Sequence, residues 1–407
     1  MAASADGIRA PFFRYWLSAF LAVFGDGVRL AAFPLLAAQL TRSPAAVAAV
    51  TAVQGLPWLL IGAGAGVVVD RSDSRRLMLI VDTARAAIIA ALAVAVLVNS
   101  VSLPLIYVTA FVTGCGSALR DTAAVTCVPR LVRTGDLEQA NGRLIAGQIV
   151  GNELAGPAAG GWMFGIAAAL PFGVNAGTLG LAALLLLTLP SVFRPLDPAG
   201  RTGPPPTSLR RDLRDGLAWL WNHSDIRDVT IAAGVVSAMD ASWFAVLVLY
   251  VVQILHCKPG AYGLLLAVGA LGGIATGGLG ARITRRLGPW SSLLLAGFAM
   301  AVTQAGLGLG DSVVIAAALL FVSSGAFALF NMTAVTMRQR QVPPELLGRI
   351  TSLYGVVTRG CEALGAMVGG ALAAAAGIRA PMLAGAAPLF AAMVLLTWRH
   401  RGRPASI

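Results

Sequence analysis

Long apolar runs, each closed by a short polar or basic gap, follow one another along the 407-residue chain. A helix needs about 20 mostly apolar residues to cross the hydrocarbon of a bilayer. Runs of that kind lie near 13–37, 45–69, 77–98, 103–122, 143–165 and 168–190, and again near 228–254, 261–281, 290–310, 312–336, 348–376 and 379–398. The pattern predicts twelve membrane-crossing helices, six on each side of the polar stretch 191–227.

Composition agrees with this reading and narrows it. Mean hydropathy is +0.79 and 57% of residues are hydrophobic, while only 12% are charged, against roughly a quarter in soluble domains. The basic residues then orient the chain. If the N-terminus is cytoplasmic, 24 of the 30 Lys and Arg residues fall in cytoplasmic segments, Arg120 among them. Only Arg42, Lys258 and Arg379 face the other side, and Arg29, Arg85 and Arg359 lie inside spans. A bias of that size puts both termini in the cytoplasm of a multi-pass protein of the cell membrane.

The net charge of +12 would suggest nucleic acid in a soluble protein. Here the arginines are spread over short loops facing anionic lipid, so the bilayer is the expected partner and nucleic acid is not. The first run carries Asp26 and Arg29 and lacks a small-residue cleavage site, so it reads as a retained span rather than a signal peptide.

Little here points to covalent chemistry. Cys115, Cys127, Cys257 and Cys361 contain no CxxC pair and read as small apolar fillers. The only lysine, Lys258, follows no Gly-rich loop, and His223, His256 and His400 form no HExxH pair. An enzyme, a metal site and a cofactor are therefore not expected.

The chain divides into 1–190, a linker over 191–227, and 228–407. The linker opens with Pro195, Pro198, Pro204, Pro205 and Pro206, which suit a stiff tether. From Ser208, Leu209, Leu213, Leu217, Leu220 and Trp221 recur at helical spacing opposite Arg210, Arg211 and Arg214, predicting a helix flat on the inner membrane surface. The two halves also repeat. A shift of 209 residues carries Gly151, Glu153, Gly156, Gly160 and Gly161 onto Gly360, Glu362, Gly365, Gly369 and Gly370. Small residues every fourth position let helix backbones approach closely, and duplicated six-span halves are a common plan of secondary transporters.

Specific stretches then carry a resemblance. Gly66 to Arg71, with Asp70 and Arg71 followed by Arg75 and Arg76, resembles the loop motif of the major facilitator superfamily, departing from it at Asp73 and Ser74. In the fifth span, Gly151 through Gly156, Pro157, Gly160 and Gly161 looks like the motif carried by that superfamily's exporters; the second copy has Ala366 where Pro157 stands. Phe24-Gly25-Asp26, Asp82 with Arg85, Ala140-Asn141 and Gly348-Arg349 are similar to the drug and siderophore exporter branch, which includes macrolide-efflux and enterobactin-exporter proteins. The resemblance covers nearly the whole chain. It implies an all-α integral membrane protein with 12 transmembrane helices in two pseudo-symmetric six-helix bundles, working as a monomer and exporting a small molecule in exchange for protons.

The charges inside the spans are the candidates for mechanism, because an acid at mid-helix costs roughly 2.5–3.5 kcal/mol on insertion scales unless paired, protonated or wet. Asp26, Asp82 and Glu362 each have an arginine three residues away, Arg29, Arg85 and Arg359; residues so spaced share a helix face. Glu153 and Asp240 have none, and burial without a cation suits a carboxylate to exchanging protons. Glu153 and Asp240 are therefore the first proton-coupling candidates, with Asp26 and Glu362 after them. Arg29 and Arg359 could grip an anionic or carbonyl-rich substrate, with Gln148, Asn152 and Asn175 as polar neighbours and Phe24, Trp243 and Phe244 as aromatic walls. Rival readings are an importer or facilitator of the same fold, a membrane-embedded enzyme, and a sensor or scaffold without flux.

Overall fold

A computed structural model of the chain describes residues 10–132, 137–189 and 217–400. Among these the chain is a succession of long helices: α1 (Ala10–Leu40), α2 (Pro44–Arg71), α3 (Ser74–Leu97), α4 (Leu103–Leu131), α5 (Leu137–Gln148), which runs through the π-helical turns Ile149–Ala155 into α6 (Gly156–Ile166), and α7 (Leu170–Leu187). Then come α8 (Ser224–Phe244), the short α9 (Leu247–Leu249) with π-helical Tyr250–Ile254, α10 (Pro259–Leu287), α11 (Pro289–Leu309), α12 (Val313–Gln341), α13 (Pro344–Ala376) and α14 (Ala380–His400). Nine of the segments are long and apolar enough to cross a membrane. The other three, α2, the α5–α6 run and α13, are continuous helix over 44–71, 137–166 and 344–376.

Helix ends follow local chemistry. Asp73 caps α3, accepting hydrogen bonds from the backbone N–H groups of Arg75 and Arg76 at 3.0 and 3.1 Å. Its departure from the superfamily loop pattern is thus a helix start. Proline stands in the first turn of α4, α7, α11 and α13, where its missing N–H costs nothing. Gly288 and Gly377, at φ 81° and 93°, make the sharp junctions before α11 and after α13.

Span boundaries differ from the hydropathy reading at several ends. The fourth span runs on to Leu131 as helix, so Arg120, expected in a cytoplasmic gap, lies inside the span. The reason is tertiary: Arg120 is neutralised by an acid on another helix, as shown below. The expected linker helix from Ser208 begins outside the described residues; of it, 217–222 is helical, with Leu220 packed against Ile226, Val342 and Ile350.

Contacts group the chain into two compact units, Met1–Leu40 with Leu56–Arg201 and Cys257–Ala267, and Thr41–Gly55 with Thr202–His256 and Val268–Ile407. In the first, α1 packs on α6 and α7, and α3 packs on α4 and α7. In the second, α8 packs on α13 and α14, and α11 packs on α12 and α14. The same four pairings, first span with fifth and sixth and third with fourth and sixth, recur in both. Large apolar side chains remain exposed on many helices, including Leu97, Leu309 and Val314. In lipid such exposure carries no penalty, because acyl chains are as apolar as leucine. Close van der Waals packing, rather than removal of apolar surface from water, then holds helices together.

Candidate functional site

The repeated glycines are places where helices meet closely. A Cβ on Gly156 would stand 2.8 Å from Gly27 Cα, and one on Gly160 3.0 Å from Val28 Cα. Their counterparts behave alike: Gly365 would strike Ala238 Cα and Gly369 would strike Ser242 Cα, at 2.7 and 2.6 Å. The final glycine of each copy turns to a different neighbour. Gly161 meets Gly263 of α10, and Gly370 meets Ala45 and Ala48 of α2. One face of each motif thus seats the first helix of its half, and the last glycine admits another helix altogether.

The first copy also contains an irregularity that residue pattern did not announce. Ile149–Ala155 is π-helical, and the N–H of Gly156 bonds to Gly151 O, five residues back. A Cβ on Gly156 would lie 2.3 Å from that same oxygen, so both the wide turn and the crossing with α1 require glycine there. Asn152 and Glu153 sit within the widened turn; such turns recur at functional positions in helices. Glu153, expected to be buried, is exposed instead.

Between α1, α3 and α4 lies a buried ionic network. Arg120 Nε donates to both oxygens of Asp82, at 2.8 and 2.9 Å, and its Nη2 reaches Ser18 O at 3.3 Å. Arg85 pairs with Asp26 and stands 3.7 Å from Asp82. Arg29 donates to Asp26 at 3.2 Å and to Thr113 Oγ1 at 3.0 Å. The pairs expected three residues apart therefore exist, but the closer partners are on other helices. Gly116 makes room for this: a Cβ there would press on the Arg85 stem at 2.6 Å. Asp82, Arg85, Arg29 and Arg120 are all buried, and breaking one pair in such a place costs about 3–5 kcal/mol, since it strands a charge.

The second unit holds a looser arrangement. Arg359 and Glu362 lie 3.6 Å apart with both side chains about half exposed. Asp240, on α8 between the two glycine crossings, is half-buried, and Glu362 is the charge that acts on it electrostatically. Among the described residues, neither Asp240 nor Glu153 forms an ion pair with an arginine.

The remaining candidates scatter. Phe24 ends a ladder of rings on α1, Phe13, Trp16, Phe20 and Phe24, at centroid spacings of 5.9, 5.7 and 6.3 Å. Trp243 is 4% exposed and packs edge-on against Phe244, so its ring belongs to the interior and offers no open wall. Asn175 is fully buried against Gly25, with both amide atoms lacking a hydrogen bond, while Gln148 is exposed and Asn152 half-buried beside Gly27. In the loop motif, Arg75 donates to Leu186 O and Leu187 O at 2.7 and 2.6 Å, closing the C-terminal end of α7; Arg76 is exposed. Gly66, Asp70 and Arg71 lie in the last turns of α2, and their side chains are outside the described residues.

Sequence reasoning missed two charges. Arg120 and Asp121 are adjacent in α4, at the place where the hydropathy pattern sets the end of the fourth span. A signal was available: Ala123, Ala124 and Val125 resume the apolar pattern after the charged pair.

Comparison with known proteins bears on this architecture. The sequence profile described as transmembrane secretion effector matches residues 3–403. The multidrug efflux pump Tap of Mycolicibacterium fortuitum is 27% identical over 415 residues, covering 97% of each chain. Tap of Mycobacterium tuberculosis is 27% identical over 404 residues, covering 94% of this chain and 91% of that one. Among solved structures, the nucleoside transporter NupG superposes with a TM-score of 0.75 at 15% identity, covering 97% of this chain and 100% of its own. A bacterial homologue of the iron transporter ferroportin gives 0.77 at 15% identity, covering 98% and 100%. A bacterial homologue of the lysosomal transporter Spinster gives 0.74 at 16% identity, covering 98% of each. The fold is that of major facilitator transporters.

Proposed function

This chain belongs to the transmembrane secretion effector family of membrane transporters, and on that premise we propose that it exports a small molecule, a drug, secondary metabolite or siderophore, in exchange for protons. Both termini lie in the cytoplasm in this reading, which the distribution of arginines supports. Direction is supported by the efflux pumps to which the chain is similar over nearly its whole length and by the glycine-rich motif of the fifth span.

The observation that carries proton coupling is Asp240. It is a mid-helix acid with no arginine bonded to it among the described residues, and the charge that acts on it is that of a second acid, Glu362. An acid with no arginine bonded to it and a second acid in its surroundings is suited to exchanging a proton. Glu153, exposed and also without an arginine, is the second proton-coupling acid. Asp26 is held by two arginines and serves the network first. Arg359, half exposed, and Arg29 are the cationic groups for a carbonyl-rich or anionic part of the substrate. The driving force is adequate, since each charge moved through the membrane potential gains about 2.3 kcal/mol per 100 mV.

The test is transport in proteoliposomes under an imposed pH gradient, using ethidium as probe. Accumulation driven by an acidic lumen, abolished by a protonophore and lost in Asp240→Asn, supports the reading. Uptake in the opposite sense, or an Asp240→Asn, Glu153→Gln double variant with full gradient-driven transport, would overturn it.

A further inference from the structure

In the first unit the acids are not equivalent. Asp26 accepts from Arg29 and Arg85, and both oxygens of Asp82 accept from the Nε of Arg120. Each of these carboxylates is thus already joined to a guanidinium by charge-assisted hydrogen bonds. Asp121 differs on every count. It is exposed, and among the described residues it has no ion pair. Yet it borders the network: the groups that act on it electrostatically are Arg120 of its own helix, Tyr15 and Asp26 of α1, and Asp82 and Arg85 of α3.

Its exposure is not of the lipid-facing kind. On α4 the exposed large apolar residues are Leu105, Val108 and Val112. Asp121 follows Val112 by nine residues, about two and a half turns, which puts it on the opposite side of the helix from that stripe. The residues flanking it on that side, Arg120 and Ala124, contact α3 and α1 through Asp82 and through the Tyr15 hydroxyl, which donates to Ala124 O at 2.8 Å.

We propose that Asp121 is a further proton-exchanging acid of the first unit, besides Glu153, setting the charge of the arginine network it borders. The proposal rests on the proton-coupled reading above and adds a residue to it. The balance is simple. The members are the buried Arg29, Arg85 and Arg120 against buried Asp82 and half-buried Asp26, an excess of one positive charge. Ionised Asp121 brings the local sum to zero, and protonated Asp121 leaves the excess uncompensated. A bound proton then repels a cationic group from this place, and a bound cation disfavours the proton. That mutual exclusion is what exchange of one for the other requires.

The experiment titrates the infrared carbonyl band of protonated carboxyl groups in purified protein reconstituted in lipid, comparing wild type, Asp121→Asn and Asp121→Glu. The amide bands of each sample establish that the helices are intact. The expected result is a titrating component present in wild type, absent in Asp121→Asn and restored at a shifted position in Asp121→Glu. Gradient-driven ethidium transport should fall to the level of empty liposomes in Asp121→Asn and recover in part in Asp121→Glu. An unchanged band in Asp121→Asn, unchanged gradient-driven transport in it, or loss of intact helices in both variants would each overturn the proposal. Wild-type transport indifferent to the pH gradient, with the Asp121 component still present in the infrared titration, would instead overturn the proton-coupled reading while leaving Asp121 as an exchanging acid.

Discussion

Gly161 of α6 and Gly263 of α10 lie backbone against backbone: a Cβ on Gly161 would stand 2.7 Å from Gly263 N, and one on Gly263 would stand 3.0 Å from Gly161 Cα. No side chain intervenes, so the contact can be made only by this residue type on both helices. Gly161→Val should therefore force the two apart. Overpacking costs typically about 1–3 kcal/mol, and the variant should lower the midpoint of thermal unfolding in detergent and reduce transport. Gly177 and Gly277 have nothing within 4 Å of such a Cβ. Alanine at either should be neutral or, through helix propensity, stabilising by up to about 1 kcal/mol. Equal damage from all three substitutions would mean that the close approach is unimportant.

Arg120 and Asp82 form an ion pair in the first unit, both buried and joined by two hydrogen bonds from one guanidinium nitrogen. Arg120→Met leaves Asp82 with only the more distant Arg85, at 3.7 Å, and should destabilise by about 3–5 kcal/mol. The double variant Arg120→Met, Asp82→Leu should lose less than the sum of the single ones, because no buried charge is then stranded. Strict additivity in a denaturation cycle would count against a direct pair.

His400, at the end of α14, stacks on Trp290 at a centroid distance of 3.7 Å and lies 3.4 Å from Asp228, which also pairs with Arg399 at 3.0 Å. Stacking and charge can be separated. His400→Phe keeps the ring contact and should unfold close to wild type, whereas His400→Ala should lose about 0.5–1.5 kcal/mol, the usual value of an aromatic pair. If phenylalanine is as damaging as alanine, the contact with Asp228 is what matters.

Cys127 is fully buried in the cluster of Phe12, Tyr15 and Met78. It should escape alkylation by maleimide in the native protein and react once the chain is denatured, as read by peptide mass spectrometry. Rapid native labelling would mean that this end of the first unit opens freely.

The glycine repeat and the ionic network were legible to different degrees. Matching Glu153 with Glu362, and four glycines with four others, is a relation between letters of the sequence, and its packing consequence followed from the absence of side chains. The intrahelical pairs Asp26–Arg29 and Asp82–Arg85 were also readable, since three residues along a helix return to one face. What could not be read was the stronger partner of each acid. Arg85 belongs more to Asp26 and Arg120 more to Asp82, across 59 and 38 residues of chain. That choice depends on which helices lie side by side.

Membrane residence, the order of the spans and the close helix approaches at the repeated glycines were determined by the order of apolar, basic and small residues alone, because a bilayer imposes one length and one solvent on every span. The wide turn at Ile149–Ala155, the exposure of Glu153 and the place of Arg120 and Asp121 inside a span were decided only by tertiary structure. A charge inside a membrane is admitted or excluded by what a neighbouring helix offers it, and hydropathy summed along one strand of sequence contains no term for a partner on another.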